Sequence, residues 1–122
     1  LLKVEIGEYL RLKRLEKRRT LGDIASKVGV SANYISEIEK GMKNNPSDEI
    51  IVKLAEIFNI NEDDLFQGFD RTPLSVRNEI KAHPSLAKAL SELNHDDTID
   101  QKQKEEFYNK LVYWYKKITE DS

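Results

Sequence analysis

Cysteine is absent from the 122-residue chain. That excludes disulfides, thiolate metal sites and cysteine nucleophiles, and with them a disulfide-built secreted domain. Proline and glycine are scarce, at three and five, so turns are few. The two histidines, His83 and His95, stand alone with no ligand spacing around either. Asp96, Asp97 and Asp100 lack the Gly and terminal Glu of a calcium loop, and no glycine-rich phosphate motif occurs. No cofactor, metal or catalysis is therefore expected. No apolar run approaches the roughly 18 residues that span a bilayer, and no signal-peptide pattern is present, so a cytoplasmic chain without a membrane partner is the expectation. The chain opens on Leu1-Leu2 rather than Met, which a trimmed start, a processed end or an odd start codon would each explain.

What is present is charge, unevenly placed. Charged residues make up 34% and the formal net charge is −2, a balance that by itself argues neither for nor against a polyanionic partner. Residues 1–45 hold ten Lys and Arg against six Asp and Glu, a net +4. Residues 46–70 stand at −6, and residues 71–122 balance at zero. The basic first third and the acidic strip after it are separate features.

The apolar spacing is helical throughout and no run alternates with the period of a strand. Ile6, Tyr9, Leu10 and Leu15 predict a helix over 5–18. Thr20, with Asp23 three residues on, has the form of a capping box opening a second helix around Ile24, Ala25 and Val28. Gly29 supplies a turn. Ser31 caps a third helix with Tyr34, Ile35 and Ile38, and Gly41 ends it. Ser47 caps a fourth around Ile50, Ile51, Leu54, Ala55 and Phe58, and Asn61 a fifth with Leu65 and Phe66. Gly68 to Pro73 reads as the domain boundary. Beyond it, Leu74, Val76 and Ile80 predict a helix ending before Pro84, Leu86 to Leu93 another, and residues 100–119 a long one.

Two short helices joined by a tight glycine turn over Thr20–Glu39 make a helix-turn-helix. Ala25 is small where the helices meet, and Val30 and Ile35 hold the second onto the first. Ala32, Asn33, Ser36, Glu37 and Lys40 remain outward. A helix fits the DNA major groove and reads base edges with its N-terminal half.

At this point the chain resembles the Cro/CI-like (XRE) repressors. The matching pattern runs from Ile6-Gly7 through Arg14, Ile24-Ala25, Gly29-Val30-Ser31, Tyr34-Ile35-Ser36, Ile38-Glu39-Lys40-Gly41 and Asn45-Pro46-Ser47 to Leu65-Phe66, about half the chain. The resemblance implies an all-α fold: a five-helix, lambda-repressor-like helix-turn-helix domain over 1–68, followed by a helical oligomerisation or partner-binding segment over 74–119. A narrower resemblance is to SinR-like regulators, on Thr20-Leu21, Asn45-Pro46-Ser47 and the stretch Gln101–Leu111. It implies a C-terminal helical hook for self-association and antagonist binding. Two departures stand. Arg18-Arg19 occupies the end of helix one where the family has Gly, so either the helix ends differently or Arg18 carries a strained backbone. Leu21 stands where many relatives place a phosphate-binding Gln, which leaves that task to backbone N–H groups.

Asn33 is the first candidate for base readout, since its amide matches adenine bidentately. Glu37 either accepts from cytosine N4 or stays outside the groove. Ala32 suits a thymine methyl, Ser36 a base edge or phosphate, and Tyr34 phosphate or sugar. The resemblance assigns Lys40, Lys43, Asn44 and Asn45 to the DNA backbone, with Arg11, Lys17, Arg18 and Arg19 as a second basic group. It also implies a structural ion pair between Arg14 and Glu39. The acidic strip is expected to favour helix N-termini away from phosphate.

The last helix carries Phe107, Tyr108, Tyr113, Trp114 and Tyr115, with Leu111 and Ile118 on the same helix. Apolar side chains on more than one face exceed what docking on one domain needs, so Phe107, Tyr108, Leu111, Trp114, Tyr115 and Ile118 are the expected dimer or partner interface. The function expected is a sequence-specific double-stranded-DNA-binding regulator, a repressor acting on an inverted repeat as a homodimer or higher oligomer. The rival is an antitoxin or phage-type inhibitor whose C-terminal helices bind a protein and whose helix-turn-helix autoregulates.

Overall fold

A computed structural model describes residues 3–120. Among the described residues there are eight helices and no strand: α1 (Lys3–Glu16), α2 (Leu21–Val28), α3 (Ala32–Glu39), α4 (Asp48–Phe58), α5 (Glu62–Gly68), α6 (Leu74–Ala82), α7 (Pro84–His95) and α8 (Gln101–Glu120). The chain divides into two compact units, the first ending at Glu79 and the second starting at Ile80.

The helix starts are set locally. The hydroxyls of Thr20, Ser31 and Ser47 and the Asn61 amide oxygen each accept from the backbone N–H three residues on, satisfying one of the orphan donors of a first helical turn. At α2 the capping box is complete, because the Thr20 N–H also donates to Asp23 at 2.9 Å. Hydrogen bonding to the carboxylate, from the backbone N–H of Thr20 first and its hydroxyl second, holds the Asp23 carboxyl below its ordinary pKa. Gly29 closes α2 at φ 87°, a left-handed backbone that a Cβ would strain.

Helix α1 ends two residues earlier than its spacing suggests, at Glu16, and Arg18 takes φ 55°. Both alternatives at that departure therefore occur together: the helix stops short, and a non-glycine residue bears the left-handed conformation. Leu15 belongs to the helix but not to the core, being 45% exposed.

The first unit is built on one apolar core. Ile6 and Leu10 of α1 meet Ile24, Ala25 and Val28 of α2, Ile35 and Ile38 of α3, Ile51, Leu54, Ala55 and Phe58 of α4, and Leu65, Phe66 and Phe69. Phe69 lies inside the Gly68–Pro73 turn and is 2% exposed, so the core outlasts α5. Arg71 then donates to the Pro46 carbonyl and to Asp48, and Arg77 pairs bidentately with Asp48 at 2.8 and 3.0 Å. Both guanidinium groups lie within 5.7 Å of the Phe66 ring centre. Ser75 donates to Asp63. Asp48 and Asp63 thus serve as anchors for the chain after α5, beyond the helix-end role their positions suggest.

The second unit is built differently. No residue from 80 to 120 is buried. Where α8 begins, the Asp100 N–H donates to Gln103 Oε1 at 3.0 Å and the Gln103 N–H to Asp100 Oδ1 at 2.8 Å. Leu86, Leu90 and Leu93 of α7 and Phe107 and Leu111 of α8 face a hollow of about 310 Å³.

Two tests follow from the first unit. A Cβ on Gly7 would come within 2.4 Å of the Ile38 carbonyl oxygen and 2.7 Å of that of Glu39. Gly7→Ala is expected to force α1 off α3 and destabilise by about 2 kcal/mol or more, a melting temperature roughly 10 °C lower by calorimetry. For Asp23, a depressed folded-state pKa gives stability that is present above the ordinary carboxylate range and disappears as pH falls through the folded value. Asp23→Asn is expected to melt below the parent at pH 7, with the gap closing as the pH drops below about 4.

Candidate nucleic-acid interface

The outward face of α3 is defined by what its inward face buries. Ile35 and Ile38 are inserted in the core, Val30 and Tyr34 pack against its edge, and Ala32 and Asn33 are exposed with Ser36 and Glu37 half-exposed beside them. Asn33 and Glu37 are one turn apart. The Asn33 amide nitrogen donates to Glu37 Oε1 at 3.2 Å, and Glu37 Oε2 lies 3.9 Å from Lys43 Nζ. That ammonium stands 6.0 Å from the Tyr34 ring centre, within cation–π range. The Glu37 carbonyl accepts from the backbone N–H groups of Met42 and Lys43 at 2.8 and 3.1 Å. One residue therefore holds both a readout candidate and the loop carrying the phosphate candidates. Lys40, Lys43, Asn44 and Asn45 are all exposed along that loop.

Beneath this surface, Arg14 Nε and Nη2 donate to the two oxygens of Glu39 at 2.7 and 3.0 Å. The side chains are only 11% and 7% exposed. Hydrogen bonding to Glu39 raises the Arg14 pKa, against the opposing effect of burial. Arg14 Nη1 also donates to the Arg19 carbonyl at 3.0 Å. The guanidinium thus joins the end of α1, the last turn of α3 and the residue before the α2 cap. Sequence reasoning named the two partners and missed the third, because a backbone carbonyl leaves no residue-type signal. It also missed the Asn33–Glu37 bond, although an Asn and a Glu four apart on one helix face were legible.

The aromatic surface of α8 is the second candidate interface. Phe107, Tyr108, Leu111, Trp114, Tyr115 and Ile118 are between 40% and 71% exposed. Phe107 and Tyr108 meet edge to face with ring centres 5.9 Å apart. The described residues contain no group of His, Cys, Asp or Glu arranged to hold a metal ion, and none of their helices is long and apolar enough to cross a membrane.

Short helices α2 and α3 about a left-handed Gly29, with one face of α3 left open, define a helix-turn-helix protein. A family model described as Helix-turn-helix matches residues 10–65. The chain is similar to the HTH-type transcriptional regulator SinR of Bacillus licheniformis, 31% identical over 55% of this chain and 60% of that protein. It is also similar to SinR of Bacillus subtilis strain 168, 26% identical over 95% of this chain and 99% of that protein. Among solved structures, the crystal structure of the biofilm master regulator SinR in complex with DNA is 31% identical, with 50% of this chain and 97% of that chain covered and a TM-score of 0.45. Residues 10–65 thus match the XRE-type helix-turn-helix family, a domain that spans just under half of the chain.

Glu39→Ala would leave the Arg14 charge nearly buried without its partner. Its expected cost is about 3 kcal/mol, read as a lower denaturation midpoint; an unchanged midpoint would sink the structural role of the pair.

Proposed function

We propose that this chain is a sequence-specific double-stranded-DNA-binding transcriptional regulator that works as a homodimer and represses at an inverted-repeat operator. The observation that carries this reading is the exposed N-terminal half of α3, whose Ala32 and Asn33 stand clear while Ile35 and Ile38 anchor the same helix. A helix held in this way enters the major groove, where Asn33 presents an amide to adenine and Ala32 a methyl group to thymine. Ser36 lies on the same face. Tyr34, Lys40, Lys43, Asn44 and Asn45 grip phosphate and sugar, which sets register without reading sequence. The basic first 45 residues, at +4, suit this polyanionic partner, and the acidic strip stays off it. The relatives bear the name transcriptional regulator, a class that performs no catalysis, and the working compartment is the bacterial or phage-host cytoplasm.

Pairing falls to the helical segment over residues 74–119, whose first helix is still tied to the head through Arg77 and Asp48. Among the described residues of the second unit no side chain is buried, and Phe107, Leu111, Trp114 and Ile118 follow one another at i, i+4, i+7 and i+11 on α8. Such a surface is covered by a second copy, which would present two α3 helices to half-sites about 34 Å apart. The same surface favours a second reading, an antitoxin or phage-type inhibitor whose α7–α8 segment binds another protein and whose head autoregulates.

Selection of bound DNA from a random pool at fixed salt separates the two. The regulator reading expects an enriched inverted repeat, a dimer by sedimentation at micromolar concentration, and loss of sequence preference in Asn33→Ala with the dimer intact. A monomer, or a pool with no enriched sequence, would count against it. Each phosphate contact should add about 0.9 to the slope of log affinity against log salt.

A further inference from the structure

We propose that Glu37 is a positioning residue for base readout, and that it acts by fixing which way the Asn33 amide faces. The inference rests on the DNA-binding reading above and goes beyond it by assigning how one base contact is selected.

An asparagine amide is nearly symmetric in shape but not in chemistry. One end is a carbonyl that accepts and the other an NH₂ with two donors. Rotation by half a turn exchanges them at little steric cost, so a solvated Asn presents both orders of donor and acceptor to a base pair. Adenine accepts only one of them, because it offers an N–H donor at N6 and an acceptor at N7. Asn33 is exposed, and packing does not choose for it.

Glu37 makes the choice. Its Oε1 accepts one N–H of the Asn33 amide at 3.2 Å. A carboxylate is acceptor-only, so the flipped amide would set a carbonyl oxygen against a carboxylate oxygen, and the bond would become a repulsion. The unflipped amide keeps its carbonyl and its second N–H unspent, which is the acceptor–donor pair that adenine requires. The carboxylate is itself held. Lys43 lies 3.9 Å from its other oxygen, and the Glu37 carbonyl receives the N–H groups of Met42 and Lys43. Lys43 also neutralises part of a negative charge that would otherwise face phosphate. This arrangement accounts for a carboxylate on a DNA-reading helix without a base of its own.

The test compares full-length parent, Asn33→Ala, Glu37→Ala, Glu37→Gln and the Asn33/Glu37 double alanine on competing duplexes varied one base pair at a time. Asn33→Ala locates the pair that Asn33 reads. At that pair, Glu37→Ala is expected to lower discrimination roughly tenfold, within the range a bidentate contact supplies, through weaker binding of the duplex that Asn33 prefers, while affinity for the other duplexes holds or rises with the loss of negative charge. Glu37→Gln, whose amide can either accept from Asn33 or donate to its carbonyl, no longer forbids the flipped orientation and is expected to lose discrimination at that pair nearly as far as Glu37→Ala. In the Asn33→Ala background, removing Glu37 should change no preference. A merely structural Glu37 would lower affinity for every duplex together and leave the ratios alone. The inference is overturned by that outcome, by Glu37→Ala altering preference at a different base pair, or by unchanged discrimination in Glu37→Ala. A parent protein with no sequence preference would instead overturn the DNA-binding reading itself.

Discussion

The Arg14 guanidinium holds three parts of the head at one point. Two of its nitrogens are taken by Glu39 at the end of α3, and a third by the Arg19 carbonyl just before the α2 cap. A bidentate pair with both side chains almost out of water restricts angle as well as distance. The closeness of α1 to α3 depends equally on Gly7, whose missing Cβ leaves room for the Ile38 and Glu39 carbonyl oxygens. Together they set α3 against the other helices. The face that α3 shows to solvent follows from that placement, since Ile35 and Ile38 have no other side to bury.

Charge is distributed to match. Basic residues gather in α1 and in the loop after α3, whereas carboxylates gather from Asp48 onward. Part of the acidic strip is spent inside the molecule. Asp48 receives both Arg71 and Arg77, and Asp63 receives Ser75, so the chain after α5 is tied to the head by carboxylates of the acidic strip.

Much of this was legible in the residues. The caps at Thr20, Ser31, Ser47 and Asn61 were readable because each bond spans three residues, and the turn at Gly29 because a left-handed backbone selects glycine. The strain at Arg18 was readable as an alternative, from a bulky residue standing where a glycine was expected. The tie between Asp48 and Arg71 or Arg77 was not readable, because partners 23 and 29 residues apart carry no local spacing. Phe69 was hidden by its surroundings: Gly, Asp and Pro around it read as a linker, and only its burial in the common core sets it apart from one.

By itself the sequence determined the helices, their starts and stops, and the helix-turn-helix order, because hydrophobic period and capping act within a few residues. It also determined that the last helix carries more apolar surface than one face can hide. Tertiary structure alone decided how the polar groups pair. It brought the Arg19 carbonyl to Arg14, Asp48 to two arginines, and the Met42–Lys43 turn back onto Glu37. Hydrogen bonds and ion pairs fall off steeply with distance and angle, so they form only once the apolar core has brought the helices into place.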